Sequence, residues 1–327
     1  MANTGNTTAF IESQQYSQFI LDNLHDYLLP EGMWRDVTDF GSGTTLNVKT
    51  VGTVSLQDAA EDTPLNFHDI DTGTLTLSIT DYVGDAWKVT DDLREDGSQI
   101  DTLMSMRAME STRALGENHE TKFLNVANAS QTNAAVNLVN GRPHRWIAGG
   151  KGVTTRKIAL TDFVAMKLSF DKANVPAGGR IAIVDPIVEA TLNGLISLQT
   201  VVDNTPQFQG ILNEGFARDH KFVRNIMGFD VYTSNFLHSV TVTEDINAAA
   251  YGLADDVSVV GNKANVFMCV ADDSCKPLMH AWRRAPQTEG WRDNEERADK
   301  YQVTTRYGFG AQRLDTLGVI ITDHAAY

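Results

Sequence analysis

The chain has 327 residues, 42% of them hydrophobic and 21% charged, with a formal net charge of −15. That balance is typical of a folded globular chain, long enough for one large domain or two ordinary ones. No apolar run approaches the ~18 residues needed to span a bilayer, the first ten residues have neither the basic nor the apolar region of a secretory signal, and the net negative charge opposes nucleic-acid binding by phosphate neutralisation.

Residues 1–12 are small and polar and read as an arm that orders on contact. Residues 13–29 place Phe19, Ile20, Leu24, Tyr27 and Leu28 at roughly helical spacing, stopped by Pro30-Glu31-Gly32. Residues 44–56 and 73–80 alternate apolar and polar side chains: Leu46, Val48, Val51, Val54 and Leu56 in the first, Leu75, Leu77 and Ile79 in the second. Both read as strands, separated by an acidic turn region. The pair forms a long two-stranded excursion, which is marginal alone and needs a partner surface.

Ser98, with Asp101 three residues on, opens a helix that runs to about residue 129. Ile100, Leu103, Met104, Ala108 and Leu115 share a stripe on it. At 1.5 Å per residue this helix is about 45 Å long, the length of a strut. Residues 140–158 are rich in glycine and bases and read as a loop with hairpin character. Thr161 caps a helix over residues 162–173. Residues 180–184 (RIAIV) are a buried strand, and Asp185-Pro186 starts another helix through Leu192. Residues 221–237, KFVRNIMGFDVYTSNFL, are a strand-like run hinged at Gly228. Residues 266–270 and 317–321 are further apolar strands, and Val303, Tyr307 and Phe309 alternate between them.

Charge is unevenly spread. Residues 1–97 hold 17 Asp and Glu against four Lys and Arg, whereas residues 142–180 hold eight bases against two acids. Two such segments can attract each other, within or between subunits.

Little in the chain points to chemistry. Gly149-Gly150-Lys151-Gly152 lacks the first glycine and the hydroxyl residue of a phosphate loop, because Arg145 and Gly152 occupy those places. Asp69-x-Asp71-x-Gly73 begins like a calcium loop, but Thr80 stands where the bidentate Glu belongs. Cys269 and Cys275, six apart, match no zinc or redox spacing and read as free thiols of a reducing cytosol. The eight histidines do not cluster at metal-ligand spacing. Trp282-Arg283-Arg284 and Trp291-Arg292 fit interface anchors better than base stacking, given the acid-rich run that follows. The residues imply neither a catalytic site nor a cofactor or metal.

The order of elements, with RIAIVDPIVEATL at residues 180–192, FVRNIMGFDVYTSN at 222–235 and LDTLGVIIT at 314–322, resembles the major capsid proteins of tailed bacteriophages with the HK97 fold. The resemblance covers nearly the whole chain. It implies an α+β fold with an N-arm (residues 1–43), an extended E-loop hairpin (44–92), a P-domain (93–159) with a spine helix at about 98–129, an A-domain with a central mixed sheet (160–270), a P-domain return (271–312) and a C-terminal A-domain strand (313–327). It implies hexamers and pentamers of an icosahedral shell, assembled in the host cytoplasm, enclosing double-stranded DNA without sequence-specific binding, with no membrane involved. A portal and a separate scaffolding protein are further expected partners; the lack of a long scaffolding segment before the arm implies such a separate protein, or a mature chain. Lys49 and Lys88 are the only lysines in or near the E-loop, and no crosslink is expected. The E-loop acids Asp58, Glu61, Asp62, Asp69 and Asp71 are expected to meet bases of the next subunit, with Arg142, Arg145, Arg156 and Lys157 as candidates. Two other readings compete: an encapsulin-like compartment of the same fold, distinguished by protein cargo in place of nuclease-resistant DNA, and an acidic cytosolic enzyme or binding protein, distinguished by a monodisperse monomer.

Overall fold

A computed structural model describes residues 28–30, 32–38, 43–52, 56–59, 61, 65, 67, 69–70, 72–96, 100–130, 138–149, 156–197, 225–240 and 262–323. The helix expected within residues 13–29, the Ser98 cap and residues 150–152 of the glycine-rich basic loop lie wholly or almost wholly outside them.

The strands are β1 (Arg35–Asp36), β2 (Thr45–Val51), β3 (Thr72–Ser78), β4 (Asp81–Thr90), β5 (Leu138–Val139), β6 (Arg142–Pro143), β7 (Arg145–Ile147), β8 (Arg180–Val184), β9 (Asn225–Ile226), β10 (Phe229–Thr233), β11 (Ser239–Val240), β12 (Asn262–Cys269), β13 (Leu278–Asp293), β14 (Ala298–Ala311) and β15 (Leu317–Thr322). The helices are α1 (Asp91–Asp96), α2 (Ile100–Ala129), α3 (Leu160–Lys172) and α4 (Pro186–Ser197). The expected mixture of helix and sheet is therefore present.

The contacts separate two compact units. Among the described residues, one comprises those within 85–114 and 288–303, the other those within 26–84, 115–287 and 304–323. The larger unit is built on a mixed sheet in the order β7-β15-β12-β8-β10-β9, with β11 beside β12. β8 pairs parallel with β10 and antiparallel with β12. β15 pairs antiparallel with β12 and parallel with β7.

Both faces of this sheet are covered, which is why its strands read as unbroken apolar runs. Ala182, Val184, Phe267 and Cys269 point into one cluster with Phe163, Met166 and Phe170 of α3 and Val188 and Leu192 of α4. Ile181, Ile183, Val266 and Met268 point into the other, against Phe123, Leu124 and Ala127 of α2. Successive residues of one strand thus serve opposite cores. The stripe expected on α2 is corrected by this packing. Leu103 is exposed, and the helix enters the core through its C-terminal half, at Leu115, Phe123, Leu124 and Ala127.

Polar side chains close the ends of these elements. Asn265 accepts the Asp185 N–H at 2.9 Å and donates to Ile320 O at 3.0 Å and Thr322 Oγ1 at 2.8 Å, joining β12, β15 and the start of α4. Arg180 is buried. It donates to Asp171 at 2.7 Å, Val175 O at 2.7 Å and Pro176 O at 2.9 Å, tying the last turn of α3 to the loop that follows it. The cap of α3 differs from expectation. Its N-cap is Ala159, and Asp162 performs the capping by accepting the Ala159 N–H at 2.9 Å.

The run over residues 221–237 is a tight hairpin from Asn225 onward. Met227 and Gly228 both have positive φ (51° and 91°), the pairing of a two-residue hairpin turn. Asn225 fixes it by accepting the Gly228 N–H at 3.1 Å and donating to Asp230 at 2.7 Å.

In the smaller unit, Trp87 stacks on Tyr301 with centroids 5.9 Å apart. Around them Arg292 forms a two-pronged pair with Asp91 at 2.7 Å on each side, Arg94 meets Asp299 at 2.6 Å, and Lys300 meets Asp293 at 2.6 Å. The Arg292 guanidinium lowers the Asp91 carboxyl below its ordinary range. Exposed pairs like these each contribute little, and their value lies in being a network.

Candidate functional site: an exposed hairpin and a basic loop

β2 and β3 pair antiparallel over all seven residues, from Thr45↔Ser78 to Val51↔Thr72. The alternation read in the sequence is the alternation of this ribbon. Leu46, Val48 and Leu75 face Leu77, Ile79, Met279 and Ala281, which form a small core at its root. The root sits directly on β14, where glycine is required. A Cβ on Gly308 would lie 2.5 Å from Ser78 O and 2.9 Å from Ile79 Cα, both backbone atoms. Gly308→Ala should therefore lower stability by about 1–3 kcal/mol through forced backbone movement. Gly178→Ala, where a Cβ meets nothing within 4 Å, should leave thermal unfolding almost unchanged. Unfolding midpoints of the two variants check this directly.

Beyond the root the apolar side chains of the ribbon find no cover among the described residues. Leu56 is 96% exposed, Leu65 52%, Phe67 100% and Ile70 79%. Leu56 was expected inside the first strand, but β2 ends at Val51 and Leu56 lies in the tip; Leu65, Phe67 and Ile70 give no sequence signal, because they are interspersed with acids. Asp58, Glu61 and Asp69 are exposed among them. Asp62 and Asp71 lie outside the described residues.

The basic candidates have unlike settings. Arg142 follows the Asn140-Gly141 turn, in which both residues have positive φ, and it is half-buried. Arg156 is half-buried and Lys157 exposed. Arg145 is 0% exposed. It lies on β7 beside Val319 and donates to Asn128 O at 3.3 Å, so its guanidinium is enclosed by its own subunit. The sequence offered no sign of this, because a three-residue strand inside a glycine-rich, basic stretch reads as loop. Gly149 is likewise engaged: its N–H donates to Asp162 at 3.2 Å. Burial raises the Asp162 carboxyl, opposed by donors from Ala159, Gly149 and Trp146.

Among the described residues no group of three metal-ligating side chains converges, and no helix is long and apolar enough to cross a membrane. Cys269 and Cys275 are both buried and free. The arrangement presents a surface to be covered, made of an acidic ribbon with an apolar tip.

The chain resembles known proteins in both sequence and fold. A family described as phage capsid protein matches residues 72–322. No curated sequence matches the chain significantly. Among solved structures, the capsid of cyanophage P-SCSP1u is similar at 15% identity, with 99% of this chain and 97% of that chain covered and a TM-score of 0.69. The mature capsid of bacteriophage PhiM1 is similar at 13% identity, over 96% and 93% of the two chains, with a TM-score of 0.69. A Mycobacterium phage Che8 chain is similar at 14% identity, over 95% and 97%, with a TM-score of 0.64. These neighbours share the HK97-type fold with this chain.

Proposed function

Because the chain belongs to the phage capsid protein family and is a structural subunit of a virion shell, we propose that its β2–β3 ribbon is the device that joins one subunit to the next. The observation that carries this is the bare apolar tip. Four large hydrophobic side chains on a slender ribbon are costly in water, and each gains about 1.5–3 kcal/mol when fully buried. The occupant is a second copy of this chain, because a shell places identical subunits side by side.

The partition proposed for the subunit is the one implied by the resemblance: an N-arm (1–43), an E-loop (44–92), a P-domain (93–159 and 271–312) and an A-domain (160–270 and 313–327). Hexamers and pentamers would then share the same ribbon contact in slightly different settings. Many modest contacts per subunit sum to a stable particle. Double-stranded DNA is the proposed content, held without sequence-specific contacts by a lining that offers few phosphate anchors. A scaffolding protein, a portal and assembly in the host cytoplasm belong to the same proposal.

Charge steers the ribbon to its seat. Asp58, Glu61 and Asp69 are exposed on it, and Arg142, Arg156 and Lys157 of a neighbour are the proposed partners, with Arg145 supporting the loop from inside. Asp58→Lys combined with Asp69→Lys should cut particle yield several-fold at low salt, with less effect at high salt where the attraction is already screened. The subunit should remain folded by circular dichroism. Particles at wild-type yield across all salt concentrations would remove the charge contact from the account. Electron microscopy of the purified chain, with assay of nuclease-protected DNA, tests the wider reading. Closed shells with DNA support it, and a monodisperse monomer under all assembly conditions contradicts it.

A further inference from the structure

Two histidines 161 residues apart meet in the larger unit. His119 of α2 and His280 of β13 bring their Nε2 atoms to 3.1 Å. Aromatic rings enclose the pair: Trp282 stacks on His119 at 5.0 Å, and Phe309 lies 4.8 Å from both rings. Tyr307 stands 4.9 Å from His119. The remaining side is closed by Trp34, at 5.1 Å from His119 and 5.8 Å from His280.

The segment that carries Trp34 is held by the same strand. β1 pairs parallel with β13 through Arg35↔Met279 and Asp36↔His280. Val37 N donates to His280 O at 2.8 Å, and Trp282 N donates to Thr38 Oγ1 at 3.1 Å. The next residue of α2, Glu120, accepts the Leu29 N–H at 2.8 Å and the Ser234 hydroxyl at 2.5 Å. The segment is thus a thin edge element whose inner face rests on the histidine pair.

We propose that His119 and His280 form an acid-sensitive latch that holds residues 32–38 against α2 and β13 while both rings are neutral, and releases this segment when they are protonated. The geometry allows one proton between the facing nitrogens. Two protonated rings would point donors at each other across 3.1 Å. Among the described residues the cage supplies no nearby counter-charge strong enough to compensate. On β1, Asp36 favours the charged form of His280, but burial outweighs it. On β14, Tyr307 is held as the neutral phenol by burial and by Asp81, and donates to Asn118 at 2.8 Å. Asp81 is itself paired with Lys122 of α2 at 2.9 Å, and Glu120 is occupied as described. His280 Nδ1 is buried without a partner, so a second proton there gains no hydrogen bond.

Burial pushes both imidazoles down to about 4. The latched state binds these protons less readily than an open state whose histidines titrate at ~6.5. The latch is therefore at full strength above ~6.5 and weakens as pH falls through the interval down to about 4. β1 yields before β13, because β13 is also held by β14, whereas β1 has two paired residues. The latch is a property of the subunit and does not depend on how the ribbon docks.

The test is 19F NMR of the full-length chain carrying 5-fluorotryptophan, with the Trp34 resonance assigned by its loss in Trp34→Phe. The resonance should move reversibly to a solvent-exposed position between about pH 5 and 4, before far-UV circular dichroism changes. His119→Gln and His280→Gln should each move that midpoint down by about one pH unit or remove it. Retention of the buried resonance until the whole subunit unfolds, or an unchanged midpoint in both variants, overturns the latch. If the variants fold poorly, titration of the imidazole carbons of the unmodified protein decides. Both rings should remain neutral at about pH 5, and either ring titrating near ~6.5 overturns the proposal.

Discussion

Replacing Phe67 and Ile70 together by serine should abolish particle formation while leaving the subunit folded. Both side chains are almost wholly in solvent within the chain, so their loss removes nothing from the subunit core. In the assembled state they would be buried, and the double substitution forfeits about 3–6 kcal/mol per ribbon. Each subunit in a shell contributes such a ribbon, so the deficit recurs at every contact. A tenfold change in an association constant corresponds to about 1.4 kcal/mol, and the loss is several such steps. The measurement is particle yield by sedimentation and negative-stain microscopy, beside thermal unfolding of the isolated subunit. Wild-type yield with unchanged particle morphology would show that the tip is not a subunit contact.

Phe267→Ala tests the other half of the account, that the central sheet is the rigid body from which the ribbon projects. Phe267 is fully buried on β12, with ring centroids 5.3 Å from both Phe163 and Phe229. Its removal leaves a cavity among aromatic rings from three elements, which cannot collapse independently. The expected loss is about 3–5 kcal/mol, visible as a lower midpoint in chemical denaturation with unchanged slope. A loss below about 1 kcal/mol would be the size of a surface change and would contradict the packing described.

The two tests differ in kind, and the difference reflects what a sequence encodes. β8, β12 and β15 were legible because a sheet covered on both faces leaves uninterrupted apolar runs, RIAIV and LGVII among them. The β2–β3 ribbon was legible from alternation, and its need for a partner followed from its being two-stranded. β13 was hidden. Its outer half, from Ala285 to Gly290, is polar and exposed, and only pairing with β14 makes it a strand. The apolar tip was also overlooked, since Leu65, Phe67 and Ile70 show no regular period. Arg145 looked like a surface charge because periodicity carries no signal in three residues. The histidine pair could not have been found from spacing, because 161 residues separate its members and the packing of β13 on α2 brings them together.

The central claim is that the ribbon of one subunit is buried on its neighbour. Cryo-electron microscopy of assembled particles tests it most directly. The account predicts density for residues 45–78 extending over an adjacent subunit, with Phe67 and Ile70 enclosed and Asp58 or Asp69 within ion-pair distance of a neighbouring base. A ribbon folded back on its own subunit, or a tip left in solvent in every copy around the shell, would contradict it.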